Sequence, residues 1–225
     1  MVTYRTLRSV FLFGIALLCN VAFAENNDLL PKYGSGPKNE VQQAADKEFL
    51  RTADDYYKGD RKKAAEYMSA RGWQFLRQSN HAVAMRRFNQ AWLLDSMNGS
   101  ALWGMAAISS MTGKTQESLK LFAEAEQYVG TDVRFSTDYA MTIGRAGAET
   151  KDDALLQDAF GRFARLYAQA PQNTTNLQNW AITLYSIDNY AEAWKKIRLA
   201  EATPAHADLD KNFIAALQAK MPRPK

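Results

Sequence analysis

The sequence predicts an all-α chain built from repeated helix pairs, and two observations carry that expectation. The first is a recurring pattern: Ala84, Phe88 and Ala91 are followed by Ser118, Phe122 and Ala125, then by Ala159, Phe163 and Leu166, then by Ala193, Ile197 and Ala200. Each set has the spacing of one buried helix face. The first residues of successive sets lie 34, 41 and 34 positions apart, which is one period with a single insertion of seven. The second observation is negative, since no segment alternates apolar and polar residues long enough to suggest a strand.

Taken in order, residues 1–24 read as a secretory signal peptide. Arg5 and Arg8 make a positive start, Val10 to Leu18 is a short apolar run, and Ala22-Phe23-Ala24 is a small-residue cleavage site before polar Glu25-Asn26-Asn27. The apolar run is short for a spanning helix, which needs about 20 such residues. Leu17-Leu18 before Cys19 are wrong for a lipid-attachment site. Cleavage after Ala24 therefore gives a periplasmic or secreted chain without cysteine, which excludes disulfides, a thiol nucleophile and a thiolate metal site. It also removes two arginines and no acid, taking Lys+Arg from 28 to 26 against 24 Asp+Glu. So small an excess does not suit nucleic acid, and the one basic run, Arg61-Lys62-Lys63, sits among Asp54, Asp55, Asp60 and Glu66. At 47% hydrophobic and 23% charged, the 225-residue chain suits a single soluble globular or solenoid domain.

Residues 25–38 hold Pro31, Gly34, Gly36 and Pro37 with little periodicity and are expected to be a flexible tether. A helix is expected in 39–60, with Val41, Ala45, Phe49, Ala53 and Tyr56 on one face and Gly59-Asp60 as its stop. Helices then pair as 61–77 with 82–95 and 100–111 with 116–128. A third pair starts at Val133, its first helix capped by Thr131 or Asp132 and ending at Gly147. Its second helix is expected to absorb the seven extra residues at its start, with Thr150 as cap, and to run to Gln169 before Pro171. The fourth pair is 176–187 with 191–202, and a last amphipathic helix spans 208–220 with Leu209, Phe213, Ala216 and Leu217 on one face.

The 34-residue helix–turn–helix period resembles the tetratricopeptide repeat (TPR), with a small residue and an aromatic in the first helix and Ala-x3-Phe then Pro in the second. Gly72 and Phe75 occupy first-helix slots in the first unit. Leu102, Met105 and Ala106 do so in the second, Tyr139, Ala140 and Ile143 in the third, and Leu177, Trp180, Ala181 and Leu184 in the fourth. Pro171 fills the closing slot and Pro204 nearly does. Arg71, Ser96, Ser109 and Gly130 depart from the pattern. The resemblance covers about residues 61–205, as units at about 65–98, 99–132, 133–173 and 174–205. It implies a right-handed α-solenoid, for which 39–60 and 206–225 would supply the N- and C-terminal capping helices.

The resemblance also implies a binding scaffold whose first helices line a concave face. Projected onto this chain, that face takes Glu66, Trp73 and Arg77, then Trp103, Ala107 and Ser110, then Arg134, Asp138, Met141 and Arg145, then Gln178, Asn179, Ile182 and Tyr185. The mixture of aromatics, arginines and amides is that of protein-interface anchors. Trp73 and Trp103 are equally well read as packing between helices. No Gly-rich phosphate loop or nucleophile motif is present, and the two histidines, His81 and His206, are about four repeats apart, so neither an enzyme, a cofactor nor a metal is expected. The expectation is a non-catalytic adaptor of the bacterial cell envelope with a protein or peptide partner, of open oligomeric state and without stable membrane insertion. Alternatives are an immunity- or inhibitor-type protein for a secreted partner, a peptidoglycan-fragment binder, and self-association through an uncovered end of the stack.

Overall fold

The computed structural model describes residues 27–224, so the expected signal peptide lies outside the described residues. These residues form ten α-helices and no strand. They are α1 (Glu40–Tyr57), α2 (Arg61–Arg77), α3 (His81–Leu94), α4 (Gly99–Met111), α5 (Thr115–Val129), α6 (Val133–Thr150), α7 (Asp153–Gln169), α8 (Thr174–Ser186), α9 (Tyr190–Glu201) and α10 (Lys211–Lys220). Two compact units result, one up to Gly104 and one from Met105, with the division inside α4.

Side-chain acceptors start most of these helices. Asn39 and Gln42 make a reciprocal capping box on α1. Asp60, Asn80, Asp152, Asn173, Asn189 and Asp210 cap α2, α3, α7, α8, α9 and α10. On α6 the cap is Asp132, whose carboxylate accepts from the backbone N–H of Arg134 at 2.8 Å and of Phe135 at 3.3 Å. The Arg134 guanidinium, 2.7 Å away, and these two N–H groups hold its carboxyl below the usual carboxylate range. A carboxyl whose folded pKa is depressed contributes stability above its unfolded pKa of about 3.9 and loses it as pH falls through the lower folded value. Asp132→Ala is expected to cost about 1 kcal/mol at neutral pH. The gap to wild type should narrow below about pH 4 in a series of thermal melts.

In the N-terminal unit α2 packs along α3. The Phe88 ring of α3 is fully enclosed, and a Cβ added to Gly72 of α2 or Gly104 of α4 would lie 2.5 or 2.1 Å from it. Both glycines therefore make room for one ring. The α1 helix packs on α2 mainly through Ala53, flanked by half-buried Phe49 and Tyr57, while Val41 and Tyr56 are each 79% exposed. Its covered face is thus the 42-46-49-53-57 row with Leu50 and Asp54 beside it, displaced from the expected stripe, whose Val41, Ala45 and Tyr56 are exposed.

Residues 27–38 are not the bare tether expected. They fold into a short 3-10 turn, Asn27–Leu29, and a turn over Pro31–Ser35 whose Lys32, Tyr33 and Gly34 are left-handed, and both pack on α3. The reason is Asn89, buried on α3, whose carboxamide N–H groups donate to the main-chain carbonyls of Asp28 and Leu30, each at 2.8 Å.

In the C-terminal unit α6 pairs with α7 and α8 with α9, while α6 also contacts α5 and α8. The second half of α4 joins α5 through Ser118 Oγ, which donates to the Ala106 carbonyl at 2.8 Å. Beneath α9, Trp194 is fully buried among Leu177, Leu184, Ile197 and Leu217, and its Nε1 donates to the Met221 carbonyl at 3.0 Å.

The seven extra residues are placed differently from the expectation. Gly147 lies inside α6, where a Cβ would meet Leu156 N and Cγ at 2.9 Å, so it permits close approach of α7 and does not end the helix. The end comes at Lys151, with φ of 55°, and the cap of α7 is Asp152, accepting from Ala154 and Leu155, instead of Thr150. The insertion thus lengthens both helices of the pair. At the C terminus a 3-10 turn, His206–Asp208, precedes α10, which starts three residues later than expected.

Candidate functional site

The repeated second-helix positions all point inward. Ala84, Phe88 and Ala91, then Ser118, Phe122 and Ala125, then Ala159, Phe163 and Leu166, then Ala193, Ile197 and Ala200 are buried. The facing small residues Gly72, Ala106, Ala140 and Ala181 are buried too. With the core slots occupied, the remaining first-helix positions are left to form surface.

In the N-terminal unit that surface is smaller than expected. Trp103 is 8% exposed, its ring edge-on to Trp73 at 4.6 Å, so it is a packing residue and not a groove anchor. Trp73 is half-buried between Trp103 and Phe88, and its Nε1 donates to Ser100 Oγ at 2.9 Å. Only Glu66 and Arg77, the last residue of α2, stand open to solvent. A groove of about 490 Å³ lies elsewhere in this unit, lined by Leu50, Arg51, Asp54, Arg61 and Leu93 among others. Its arginines are paired within the unit, Arg51 to Glu48 and Asp55 and Arg61 to Asp54, which leaves an apolar floor and self-neutralised walls.

In the C-terminal unit the expected residues fall on α6 and α8. Arg134 is exposed and pairs with Asp132, at the far end of α6 from Arg145. Arg145 is half-buried and donates from Nη1 to the Ser110 carbonyl at 2.7 Å, while Ala107 is buried. The Arg134, Asp138 and Arg145 side chains therefore do not form one anion clamp. Gln178 is committed to α10, its Oε1 accepting from the Asp210 N–H at 2.7 Å. Between these lie Asp138, Met141, Asn179, Ile182 and Tyr185, all half-buried. Thr183 Oγ1 donates to Met141 Sδ at 3.9 Å, and Tyr185 rests against Tyr190 and Phe213 at 5.4 and 5.6 Å.

Asn89 was not singled out by the sequence, although an Asn beside Phe88 on a core-facing stretch of α3 was a signal that something polar must cover it. Its partners are main-chain carbonyls, which no side-chain pattern announces.

No protein-family model and no curated protein matches the chain. Among solved structures the chain is similar to one described as "Crystal structure of YrrB: a TPR protein with an unusual peptide-binding site", at 17% identity over 76% of this chain and 97% of that chain, with a TM-score of 0.31. The burial of every repeated second-helix slot against a small first-helix residue stands on the chain's own geometry. By that packing the described residues form an all-α series of repeated helix pairs, whose period resembles that of the tetratricopeptide repeat.

Proposed function

We propose that this protein is a non-catalytic protein-interaction adaptor of the bacterial cell envelope, exported through a signal peptide cut after Ala24, and that it binds a protein or peptide segment on the surface shared by α6 and α8. The observation that supports this reading is the row of half-exposed Met141, Ile182 and Tyr185 beside the Asn179 amide. These are adaptable and aromatic groups next to a bidentate amide, on two packed helices that fix their spacing. Residues at this kind of position contribute through burial by a partner, since the core slots beneath them are already filled.

The test is capture by crosslinking from the native envelope. Wild type is compared with an Asn179→Arg, Ile182→Arg double variant and with Gln127→Arg on exposed α5 surface, each verified as folded by circular dichroism. A partner recovered by wild type and by Gln127→Arg, and reduced tenfold or more by the double variant, is the expected result. Equal recovery by all three would remove this surface as the site. Mass spectrometry of the exported chain should find Glu25 as its first residue, and an intact leader would remove the export step.

A further inference from the structure

We propose that the outer face of α3 is a peptide-docking site that exchanges its occupant between two copies of this chain, with residues 28–33 of one copy seated on α3 of the other. Asn89 reads backbone there, holding carbonyls two residues apart through one carboxamide. Around it, Arg86 pairs with Asp28 at 2.5 Å, Pro31 is buried, and the Lys32 ammonium lies 5.8 Å over the Trp92 ring. The site thus recognises a segment of acidic–Leu–Leu–Pro–basic character, and this chain carries that segment itself.

The fit in one copy is strained. To return from α3 to the start of α1, the chain makes three consecutive left-handed residues, Lys32 at φ 52°, Tyr33 at 57° and Gly34 at 77°. Only the third is a glycine, and side-chain-bearing residues rarely hold this conformation. A segment arriving from a second copy makes the same contacts to Asn89 and Arg86 without that reversal. Strained short hinges of this kind favour exchange of a terminal segment between copies. Opposing it is the effective concentration of the tethered segment, about millimolar when unstrained. Strain at two residues lowers this by about tenfold each, which brings exchange into the range of tens of micromolar.

Sedimentation velocity on the chain from Glu25, between about 1 and 100 µM, tests this. The wild type should pass from monomer to dimer across the range. Lys32→Gly removes one strained side chain and should raise the half-dimer concentration by about tenfold. Lys32→Pro fixes φ near −65°, closes the intramolecular route and should be dimeric throughout. Adding Asn89→Ala to Lys32→Pro should return it to monomer, and excess synthetic peptide of residues 25–34 should dissolve the Lys32→Pro dimer.

A Lys32→Pro chain that is folded by circular dichroism yet monomeric at 100 µM would overturn the proposal, as would a dimer that survives Asn89→Ala. Docking of an unrelated envelope peptide on α3 of a monomeric Lys32→Pro chain would overturn it in favour of a partner protein. None of these outcomes bears on the surface of α6 and α8.

Discussion

Gly104→Ala is expected to destabilise the N-terminal unit by about 2–3 kcal/mol, against the usual gain of about 1 kcal/mol for Gly→Ala inside a helix. The sign reverses because the new Cβ would lie 2.1 Å from Phe88 Cζ and 2.4 Å from Cε1 and Cε2, and real Cβ atoms do not approach within 3.0 Å. Nor can the ring retreat, being fully buried with its other side against Trp73 at 5.4 Å and the Gly72 backbone. Phe88→Ala should cost about 3–5 kcal/mol through lost burial and the cavity left behind. The informative variant is the double one. With the ring gone, the added methyl of Gly104→Ala enters the void, so the double variant should be more stable than the sum of the singles by at least about 1 kcal/mol. Urea unfolding of the four proteins measures this, and additive losses would show that Phe88 does not set the separation of α2 and α4.

The C-terminal unit should respond comparably to Trp194→Ala, at about 3–5 kcal/mol. Trp194 fills the space between α8 and α9 and the end of α10, and its indole N–H holds the Met221 carbonyl just after α10. Truncation removes both, so residues 211–224 should become sensitive to limited proteolysis before the remainder of the unit melts. Trp194→Phe keeps most of the buried area and loses the hydrogen bond, for which a smaller cost of about 1 kcal/mol is expected. If the phenylalanine variant fell as far as the alanine one, the indole hydrogen bond would be the main fastening of the C-terminal segment and burial the lesser one.

The helix pairs were legible because their signal is carried by side chains at fixed intervals. An apolar or small residue every three or four positions, repeated at 34, survives even where Arg71 and Ser109 break the pattern. What could not be read depends on groups that leave no such trace. The sequence places the seven-residue insertion in one helix because Gly147 reads as a terminator, whereas its missing Cβ serves the approach of Leu156. The segment before α1 reads as tether because its glycines and prolines are visible, while its fastening uses the carbonyls of Asp28 and Leu30. Trp103 occupies a surface register, yet it is buried, with the edge-on Trp73 ring against it. The residues expected on α6 and α8 are found at half-exposed positions, except that Arg134 is open to solvent; Gln178 and Arg145 each spend a polar group on a neighbouring element.

The sparse burial of α1 has a consequence for how the molecule opens. Of its eighteen residues one, Ala53, is buried, and its ties to neighbouring elements include the exposed Arg61–Asp54 ion pair and the Tyr57–Tyr67 ring contact to α2 and the Lys38–Asp46 pair to the residues before it. Surface ion pairs of that kind contribute little. The backbone amides of 40–57 are therefore a separate cooperative block, exchanging with solvent through openings far cheaper than unfolding of α2 and α3. Such an opening loosens the hinge at residues 32–39 and leaves the segment ahead of it held by its own contacts to Asn89 and Arg86 of α3, while Phe88, directly beside Asn89, stays locked in its two-glycine seat.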